Sequence, residues 1–229
     1  MIEGLELDKP GHRMISGPTG SGKSFLIGAA AEGLYDKKIP FMIFDTKTVN
    51  HIGLIELPEL KKIRVSPSME FKNLDALRDY PYILFVPASR HIAIADLIAK
   101  YREILEYLWI QAEPRVYLIE EAHNWNKNAS VADPLLEQIA REGRTDGLFL
   151  WFITQQLQSF PKILWSQCSF TYLYHFNIPA DIKYAGQMVP DFETINREEL
   201  ALHDVLTWNC HEYKIIKADQ ITRRTPHKG

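Results

Sequence analysis

Cysteine is scarce in this sequence, with only Cys168 and Cys210 among 229 residues and no C-x-x-C pair. Two thiols so placed predict buried free cysteines rather than a zinc site or a disulfide. Long apolar runs are also missing, since none approaches the ~18 residues that a membrane span needs. The N-terminus lacks the pattern of a signal peptide. These absences argue against secreted and membrane-spanning classes and predict a protein of a cytoplasm-like compartment.

An excess of either charge is lacking too. The 26 Lys and Arg against 29 Asp and Glu leave a net charge of about −3. This balance argues against a uniformly basic protein that coats nucleic acid non-specifically, but it leaves open a ring with a few basic residues on its inner loops. Residues 221–229 form a short basic tail, which we expect to be solvated and flexible.

The sequence has no internal repeat, low-complexity block or linker, and 46% of its residues are hydrophobic. Its length and composition favour one α/β domain over residues 1–229. Apolar strand candidates alternate with helical segments, which predicts a mostly parallel sheet with helices on both faces. Strands are predicted up to Ile15 and at 41–44, 63–65, 82–86, 116–119, 148–153, 170–176 and 211–217. Helices are predicted from Phe25 and at 71–77, 94–108, 134–142 and 193–206.

Residues 17–24 fit the phosphate-binding pattern G-x-x-x-x-G-K-[ST] between a predicted strand and a predicted helix. Glycines allow successive backbone N–H groups to turn towards phosphate oxygens. Lys23 can reach the β- and γ-phosphates, and the Ser24 hydroxyl can ligate Mg²⁺. The sequence therefore predicts an ATP site with Mg²⁺. Its predicted binding residues are Gly17, Pro18, Thr19, Gly20, Ser21, Gly22, Lys23, Ser24 and Phe25.

The carboxylate pair Glu120 and Glu121 directly follows an apolar strand. Ligands bind at the carboxyl ends of strands in an open α/β sheet. One carboxylate can hold the Mg²⁺ shell while its neighbour polarises the attacking water. The alternative is a pair of exposed glutamates at a strand end. With the phosphate-binding loop present, we expect both residues in the site.

Two further features belong to the same predicted site. Gln155 follows a buried strand and could sense the γ-phosphate, although such a residue is often a strand cap. Arg141 and Arg144 end the helix before that strand, and an Arg there could reach a neighbouring subunit's phosphates. The alternative for such an Arg is compensation of the helix dipole.

Taken in order, the phosphate-binding loop, Glu120-Glu121-Ala122-His123, Arg141-Glu142-Gly143-Arg144 and Thr154-Gln155-Gln156 resemble the HerA–FtsK superfamily of DNA-pumping ATPases. The motifs span residues 17–155. The compact length, without a visible barrel, anchor or DNA-reading domain, is most similar to the genome-packaging ATPases of membrane-containing icosahedral viruses.

This resemblance implies a RecA-like core, a ring that is usually hexameric, and translocation of double-stranded DNA. It implies that Lys23 and Ser24 contact phosphate and Mg²⁺, that Glu120 is the metal-shell acid and that Glu121 is the catalytic base. Gln155 would be the γ-phosphate sensor and Arg144 the finger acting on the adjacent subunit. Many members have Asp where this chain has Glu120, so the division of roles between Glu120 and Glu121 stays open.

The packaging interpretation implies capsid portal or vertex proteins as partners, in the host cytoplasm or the virion. Candidates for DNA contact, chosen by charge and loop placement, are Lys47, Lys72, Arg90 and Lys127. A plasmid or cellular translocase of the same superfamily is the nearest alternative, and a P-loop small-molecule kinase is a more distant one. A GTPase is disfavoured because the sequence has no N-K-x-D-type motif.

Overall fold

The computed structural model describes residues 4–70 and 73–227. In these residues nine strands form one sheet in the order β3-β4-β2-β5-β6-β1-β7-β8-β9. Neighbours from β3 through β7 in that order are parallel, and β8 runs antiparallel to both β7 and β9. The strands are β1 His12–Ser16, β2 Phe41–Phe44, β3 Leu60–Val65, β4 Tyr82–Pro87, β5 Arg115–Ile119, β6 Leu148–Thr154, β7 Cys168–Tyr174, β8 Val205–Trp208 and β9 Tyr213–Ile216.

Six α-helices are described in the same residues, with short 3₁₀ turns between several elements. They are α1 Lys23–Asp36, α2 Ile94–Ile110, α3 Pro134–Glu142, α4 Lys162–Trp165, α5 Pro179–Ala185 and α6 Phe192–Glu198. No helix within the described ranges is long and apolar enough to cross a membrane.

Alternation along the buried strands divides the apolar side chains between two cores, one on each face of the sheet. In β2, Phe41 and Ile43 pack in the core with α1, whereas Met42 and Phe44 pack in the core with α2 and α3. Central strands such as β2 and β4 are wholly buried because helices cover both faces. The predicted layered α/β architecture is confirmed.

The strand order brings three predicted functional strand ends together. β6 lies between β5 and β1, so the strand that leads to Gln155 separates the acidic strand from the strand that enters the phosphate-binding loop. Their registers pair Ile119 with Phe152 and Ser16 with Thr154, so the three strands end at nearly the same level. Parallel pairing therefore places their following residues along one edge of the sheet.

Local sequence patterns account for two of the helices. The apolar residues that recur along α2 at spacings of three and four are buried, except for Ile94, which is 38% exposed at the first turn. Asp133 caps α3, and its side chain accepts hydrogen bonds from the N–H groups of Leu135 and Leu136. Pro134 at the first helical position fits this cap.

Two helix predictions are wrong in extent. A helix was predicted at 193–206, but the observed helix α6 ends at Glu198. Val205 and Leu206, the last two residues of the predicted helix, instead begin β8, which pairs with β7. Tertiary pairing decides this segment, because Leu206 is buried against the sheet. The predicted helix at 71–77 is a 3₁₀ turn over Asp75–Leu77, and Phe71 and Lys72 lie outside the described residues.

The basic tail also differs from the expectation of a solvated segment. Residues 221–227 pack along α1, where the backbone N–H groups of Arg224 and Thr225 donate to the carboxylate of Glu32. The side chain of Arg223 is fully buried against the same helix. A carboxylate buried in a helix face needs donors, and the tail supplies them.

Candidate functional site

The phosphate-binding loop joins β1 to α1 in a conformation that its glycines permit. Gly20 and Gly22 have φ values of 81° and 106°, in the region that favours glycine. A Cβ on Gly17 would lie 2.6 Å from the Cβ of Tyr174 and 2.8 Å from Ser21 Oγ. The loop is thus closely backed by β7, and its open side is shaped for an anion.

Lys23, at the start of α1, folds back over this loop. Its Nζ donates to the carbonyl oxygens of Gly17 and Pro18 at 2.6 and 2.8 Å. Burial lowers the pKa of Lys23 to about 8, against the opposing effect of Glu120 and Glu121. A bound anion would stabilise the charged form of this ammonium group.

One cavity of about 510 Å³ is lined by Glu120, Glu121, Gln155 and most of the predicted residues of the loop, namely Thr19, Gly20, Gly22, Lys23, Ser24 and Phe25. Gly17, Pro18 and Ser21 are not part of its lining. It brings Lys23 and Ser24 together with Glu120, Glu121 and Gln155. The cavity also has lining residues that were not predicted to bind nucleotide, and several of them come from distant parts of the chain. They are Lys47, Asn50, Tyr174, His203, Ala218, Ile221 and His227.

Glu120 and Glu121 are presented differently at the end of β5. Glu120 is 5% exposed, and its Oε1 lies 2.7 Å from His51 Nε2. Glu121 has a φ of 49°, which is uncommon for a residue with a side chain. Burial and the charge of Glu120 raise the pKa of Glu121, and Lys47 and Lys23 oppose this. Glu121 Oε2 is buried without a hydrogen-bond partner among the described residues.

A second layer of buried polar residues supports Glu120. Burial raises the pKa of Asp45 to about 7, and its backbone carbonyl accepts a 2.7 Å bond from the Tyr101 hydroxyl. Burial lowers the pKa of His51, but the bond to Glu120 and the charges of Asp45 and Glu120 raise it overall. His51 was missed by the sequence analysis, because a His in a loop after β2 has no spacing that marks it.

Gln155 lies next to the phosphate-binding loop. The Thr19 hydroxyl donates to Gln155 Oε1 at 2.5 Å. One residue earlier, Thr154 Oγ1 lies 2.8 Å from His123 Nδ1 and accepts a bond from the backbone N–H of Gln156. The side-chain amide is therefore linked to the loop that would bind the γ-phosphate it is expected to sense.

Arg144 lies away from this cavity. It is in the 3₁₀ turn Gly143–Asp146, just before β6 begins, whereas the phosphate-binding loop follows the end of the parallel strand β1. Its Nη2 donates to the Gln167 carbonyl at 2.6 Å and to Ser169 Oγ at 3.2 Å. Arg144 therefore does not line its own chain's cavity, and its predicted action on a neighbouring subunit stays a prediction. Arg141 is exposed and pairs with Glu137 at 2.6 Å.

The predicted DNA-contact residues are scattered. Lys47 lines the cavity, with its Nζ 3.9 Å from Glu121 Oε1. Lys127 is exposed after the 3₁₀ turn that follows β5. Arg90 is exposed in the loop after β4, where it lines a groove with Lys62, Arg64 and His91. Lys72 lies outside the described residues.

The residues present fit a nucleotide with Mg²⁺. A glycine cradle faces an open cavity, and Ser21 Oγ and Glu121 Oε2 are buried without partners in the part of the chain that the structure describes. Within those same ranges, no cluster of three or more His, Cys, Asp or Glu side chains could hold a metal ion. Mg²⁺ commonly takes one or two protein ligands and completes its shell with phosphates and water. Ser24 and Glu120 would suit that role.

The fold and this site define a P-loop NTPase of RecA-like fold. Among solved structures, the genome-packaging NTPase B204 of Sulfolobus turreted icosahedral virus 2, in complex with ATP-gammaS, matches with a TM-score of 0.70 at 17% identity. The match covers 93% of this chain and 98% of that chain.

Two further proteins share the fold. VirB4 of Thermoanaerobacter pseudethanolicus matches with a TM-score of 0.68 at 12% identity, over 90% of this chain and 88% of that one. The pCW3 conjugation coupling protein TcpA matches at 0.57 and 14% identity, over 93% of this chain and 61% of that one. No protein-family model and no curated protein matches the sequence. At these identities the likeness establishes the fold.

Proposed function

We propose that this chain is a Mg²⁺-dependent ATPase of the HerA–FtsK superfamily that translocates double-stranded DNA. The observation that carries the proposal is the convergence of Lys23, Glu120, Glu121 and Gln155 on one cavity beside a glycine cradle. A lysine, two acids and an amide at adjacent strand ends suit phosphoryl transfer to water. The chain acts as one domain over residues 1–229.

The site residues divide the work of hydrolysis. The backbone of the phosphate-binding loop and Lys23 bind the phosphates, and Lys23 offsets charge that develops on the γ-phosphoryl group. Ser24 and Glu120 hold Mg²⁺, which supplies further charge neutralisation when bound. Glu121 accepts a proton from the attacking water. Gln155 orients that water or contacts the γ-phosphate.

The DNA-handling part of the proposal is supported by likeness and charge. The match to B204, a genome-packaging NTPase, covers nearly the full length of both chains. The groove with Lys62, Arg64 and Arg90 has the positive charge that phosphate contacts require. We therefore propose packaging of a viral genome by a ring, of hexameric type, with a capsid portal or vertex protein as its partner in the host cytoplasm or virion. In such a ring, Arg144 acts as a finger on the adjacent subunit.

The first test measures hydrolysis with double- and single-stranded DNA at two salt concentrations. We expect greater stimulation by duplex DNA and less of it at high salt, because phosphate contacts are screened. Arg64→Ala with Arg90→Ala should weaken the stimulation, whereas Arg197→Ala with Lys214→Ala, at two exposed cations outside that groove, serves as the matched control. Equal indifference to both DNAs would contradict translocation and favour a small-molecule kinase. The solution mass with ATP analogue and duplex DNA tests the ring.

The second test separates the two acids. Glu121→Gln should bind ATP with Mg²⁺ but hydrolyse it about 10² to 10⁴ times more slowly, because an amide cannot act as the base. Glu120→Gln should instead weaken the Mg²⁺ dependence of ATP binding. Exchanged phenotypes would reverse the assignment of roles.

A translocase of a plasmid or other mobile element is the second candidate. The likeness to the pCW3 conjugation coupling protein TcpA favours it. Both candidates share the ATPase site and the DNA stimulation. Binding to a purified capsid vertex protein from the same source would support packaging, and its failure would leave the mobile-element role as the better one.

A further inference from the structure

The C-terminal tail, residues 221–227, lies on one face of α1, the helix that begins at the phosphate-binding loop. The tail contacts Phe25, Gly28, Glu32 and Asp36, which are spaced by three, four and four residues. Such spacing places them along a single helix face. The tail therefore follows the helix towards the nucleotide cavity.

Glu32 is the anchor of this contact. It is 6% exposed and accepts bonds from the backbone N–H of Arg224 at 3.0 Å and of Thr225 at 2.8 Å, and from the Thr225 hydroxyl at 2.6 Å. Bonds to an ionised carboxylate are about twice as strong as neutral ones. A buried carboxylate without these donors would be costly, so the tail and α1 stabilise each other.

Two glycines make room for the tail. A Cβ on Gly28 would lie 2.3 Å from Arg223 Cζ, and a Cβ on Gly53 would lie 1.9 Å from the carbonyl oxygen of Pro226. Gly53 meets the tail's backbone, so this position needs glycine for the tail to lie where it does. At Gly28 a side chain would instead displace the guanidinium of Arg223. The tail thus packs closely between α1 and the 3₁₀ turn that contains Gly53.

The two ends of the tail also line the nucleotide cavity. Ala218, Ile221 and His227 line it, and the His227 ring lies edge-on to Phe25 with centroids 5.6 Å apart. Arg223 Nη1 lies 3.1 Å from His227 Nδ1, so Nδ1 accepts and the neutral ring carries its proton on Nε2. Burial lowers the pKa of His227, with the charges of Arg223 and His51 acting in the same direction.

The cavity lining is divided by chemistry. Lys23, Lys47, Glu120 and Glu121 supply charge for phosphates and metal. Apolar and aromatic surface comes from Phe25, Tyr174 and the tail residues. Phe25 follows Lys23 by two residues at the first turn of α1, so a nucleotide with its terminal phosphates on Lys23 extends past Phe25. A nucleobase is flat and largely apolar on its faces, and it packs best on such a surface.

We propose that residues 218–227 form the nucleobase wall of the pocket, with Ile221 and His227 completing with Phe25 a surface for the base of the bound nucleotide. This inference rests on the proposed ATPase function and adds the part of the chain that recognises the base. Nucleotide affinity would then depend on a segment that lies almost 200 residues after the phosphate-binding loop in the sequence.

The test compares two ligands that share phosphates and differ in the base. Calorimetric binding of ATP and of inorganic tripolyphosphate, both with Mg²⁺, is measured on wild type, His227→Ala and a chain that ends at Pro226. Both variants keep the Glu32 anchor. We expect each to bind ATP about tenfold more weakly, as loss of one aromatic contact predicts. Tripolyphosphate affinity should stay within twofold.

Controls separate packing from recognition. His227→Phe should restore most of the ATP affinity, and His211→Ala, at an exposed histidine outside the cavity, should leave both ligands unchanged. Unchanged ATP affinity in both tail variants would overturn the proposal. Equal weakening of ATP and tripolyphosphate would overturn it too, because the tail would then act on the pocket as a whole. Wild type that binds neither ligand would contradict the ATPase function itself, and the wall with it.

Discussion

The two ends of β1 hold cations with opposite roles. At the amino end, Arg13 is 1% exposed and donates to the carbonyls of Leu5, Glu6 and Lys9 and to the Tyr172 hydroxyl. Its guanidinium also lies over aromatic rings at 4.4 and 4.7 Å. Past the carboxyl end, Lys23 donates to two carbonyls of its own loop and faces an open cavity with two glutamates.

The difference separates stability from function. A buried cation surrounded by the protein's own acceptors stabilises the fold, and removal of its partners leaves an expensive buried charge. A cation beside a cavity that holds an unpartnered glutamate oxygen, Glu121 Oε2, keeps its capacity for a ligand. We therefore expect substitutions at the two edges of the sheet to affect different measurements.

Lys23→Ala should have the largest effect. Hydrolysis should fall by about 10³ or more, because the charge that stabilises the transferring phosphoryl group is gone. The circular dichroism spectrum and melting temperature should stay close to those of wild type, since the side chain serves no core. Substantial hydrolysis in a folded Lys23→Ala protein would refute the assignment of the phosphate-binding loop.

Arg144→Ala tests whether one residue at the amino edge also has a catalytic role. If it acts across a subunit boundary, hydrolysis should fall by roughly 10³ while ATP binding is spared. Mixing Arg144→Ala with Lys23→Ala should then recover activity, because some interfaces pair an intact loop with an intact arginine.

The structural alternative for Arg144 is an anchor for the start of β7 through Gln167 and Ser169. That role would lower the melting temperature and give no recovery on mixing. Activity that stays at the level of the separate variants, in samples shown to exchange subunits, would rule out the finger.

Arg13→Ala should act on stability alone. Loss of this buried cation leaves several carbonyls without donors and should cost about 3 to 5 kcal/mol of unfolding free energy. Chemical denaturation measures this, and Arg78→Ala, at an exposed arginine, is the control. Turnover per folded Arg13→Ala molecule should match that of wild type. A large loss of turnover in the folded fraction would contradict the assignment of stability to the amino edge of the sheet and of catalysis to the carboxyl edge.

His12, beside Arg13, should make a smaller, pH-dependent contribution to the free energy of unfolding. Burial and, less strongly, the charge of Arg144 lower its pKa from 6.5 to about 4. Its Nδ1 accepts from the backbone N–H of Leu150. The unfolded chain binds a proton that the folded chain excludes, so this contribution is present above pH 6.5 and is lost as pH falls towards 4. Between pH values above 6.5 and below 4, the contribution of His12 changes the free energy of unfolding by about 3 kcal/mol.

His12→Asn tests this because its side-chain oxygen can still accept from Leu150 N–H. Denaturation curves at pH 7, 5.5 and 4 should show a shallower decline for the variant than for wild type. Parallel declines would show that other groups carry the acid sensitivity. Hydrolysis at pH 7 should be little changed, which again separates this edge from the site.

Much of the fold could be predicted because its signals are local. The apolar runs of β2, β4, β5 and β6 and the three-and-four spacing of α2 are readable without knowledge of their neighbours. The cap at Asp133 and the phosphate-binding loop are also contiguous patterns. β8 was mistaken for helix because a segment of four residues takes its conformation from its pairing with β7 and β9.

By itself, the sequence determined the phosphate end of the site: a contiguous motif, with Glu120 and Gln155 placed by the rule that parallel strands end at one edge. The tertiary structure alone decided that β6 lies between β5 and β1, that Arg144 lies at the far edge, and that His51 supports Glu120. It also decided that the tail packs on α1 through Glu32. The physical reason is that such contacts join residues far apart in the chain, so their partners are defined only once the sheet has assembled.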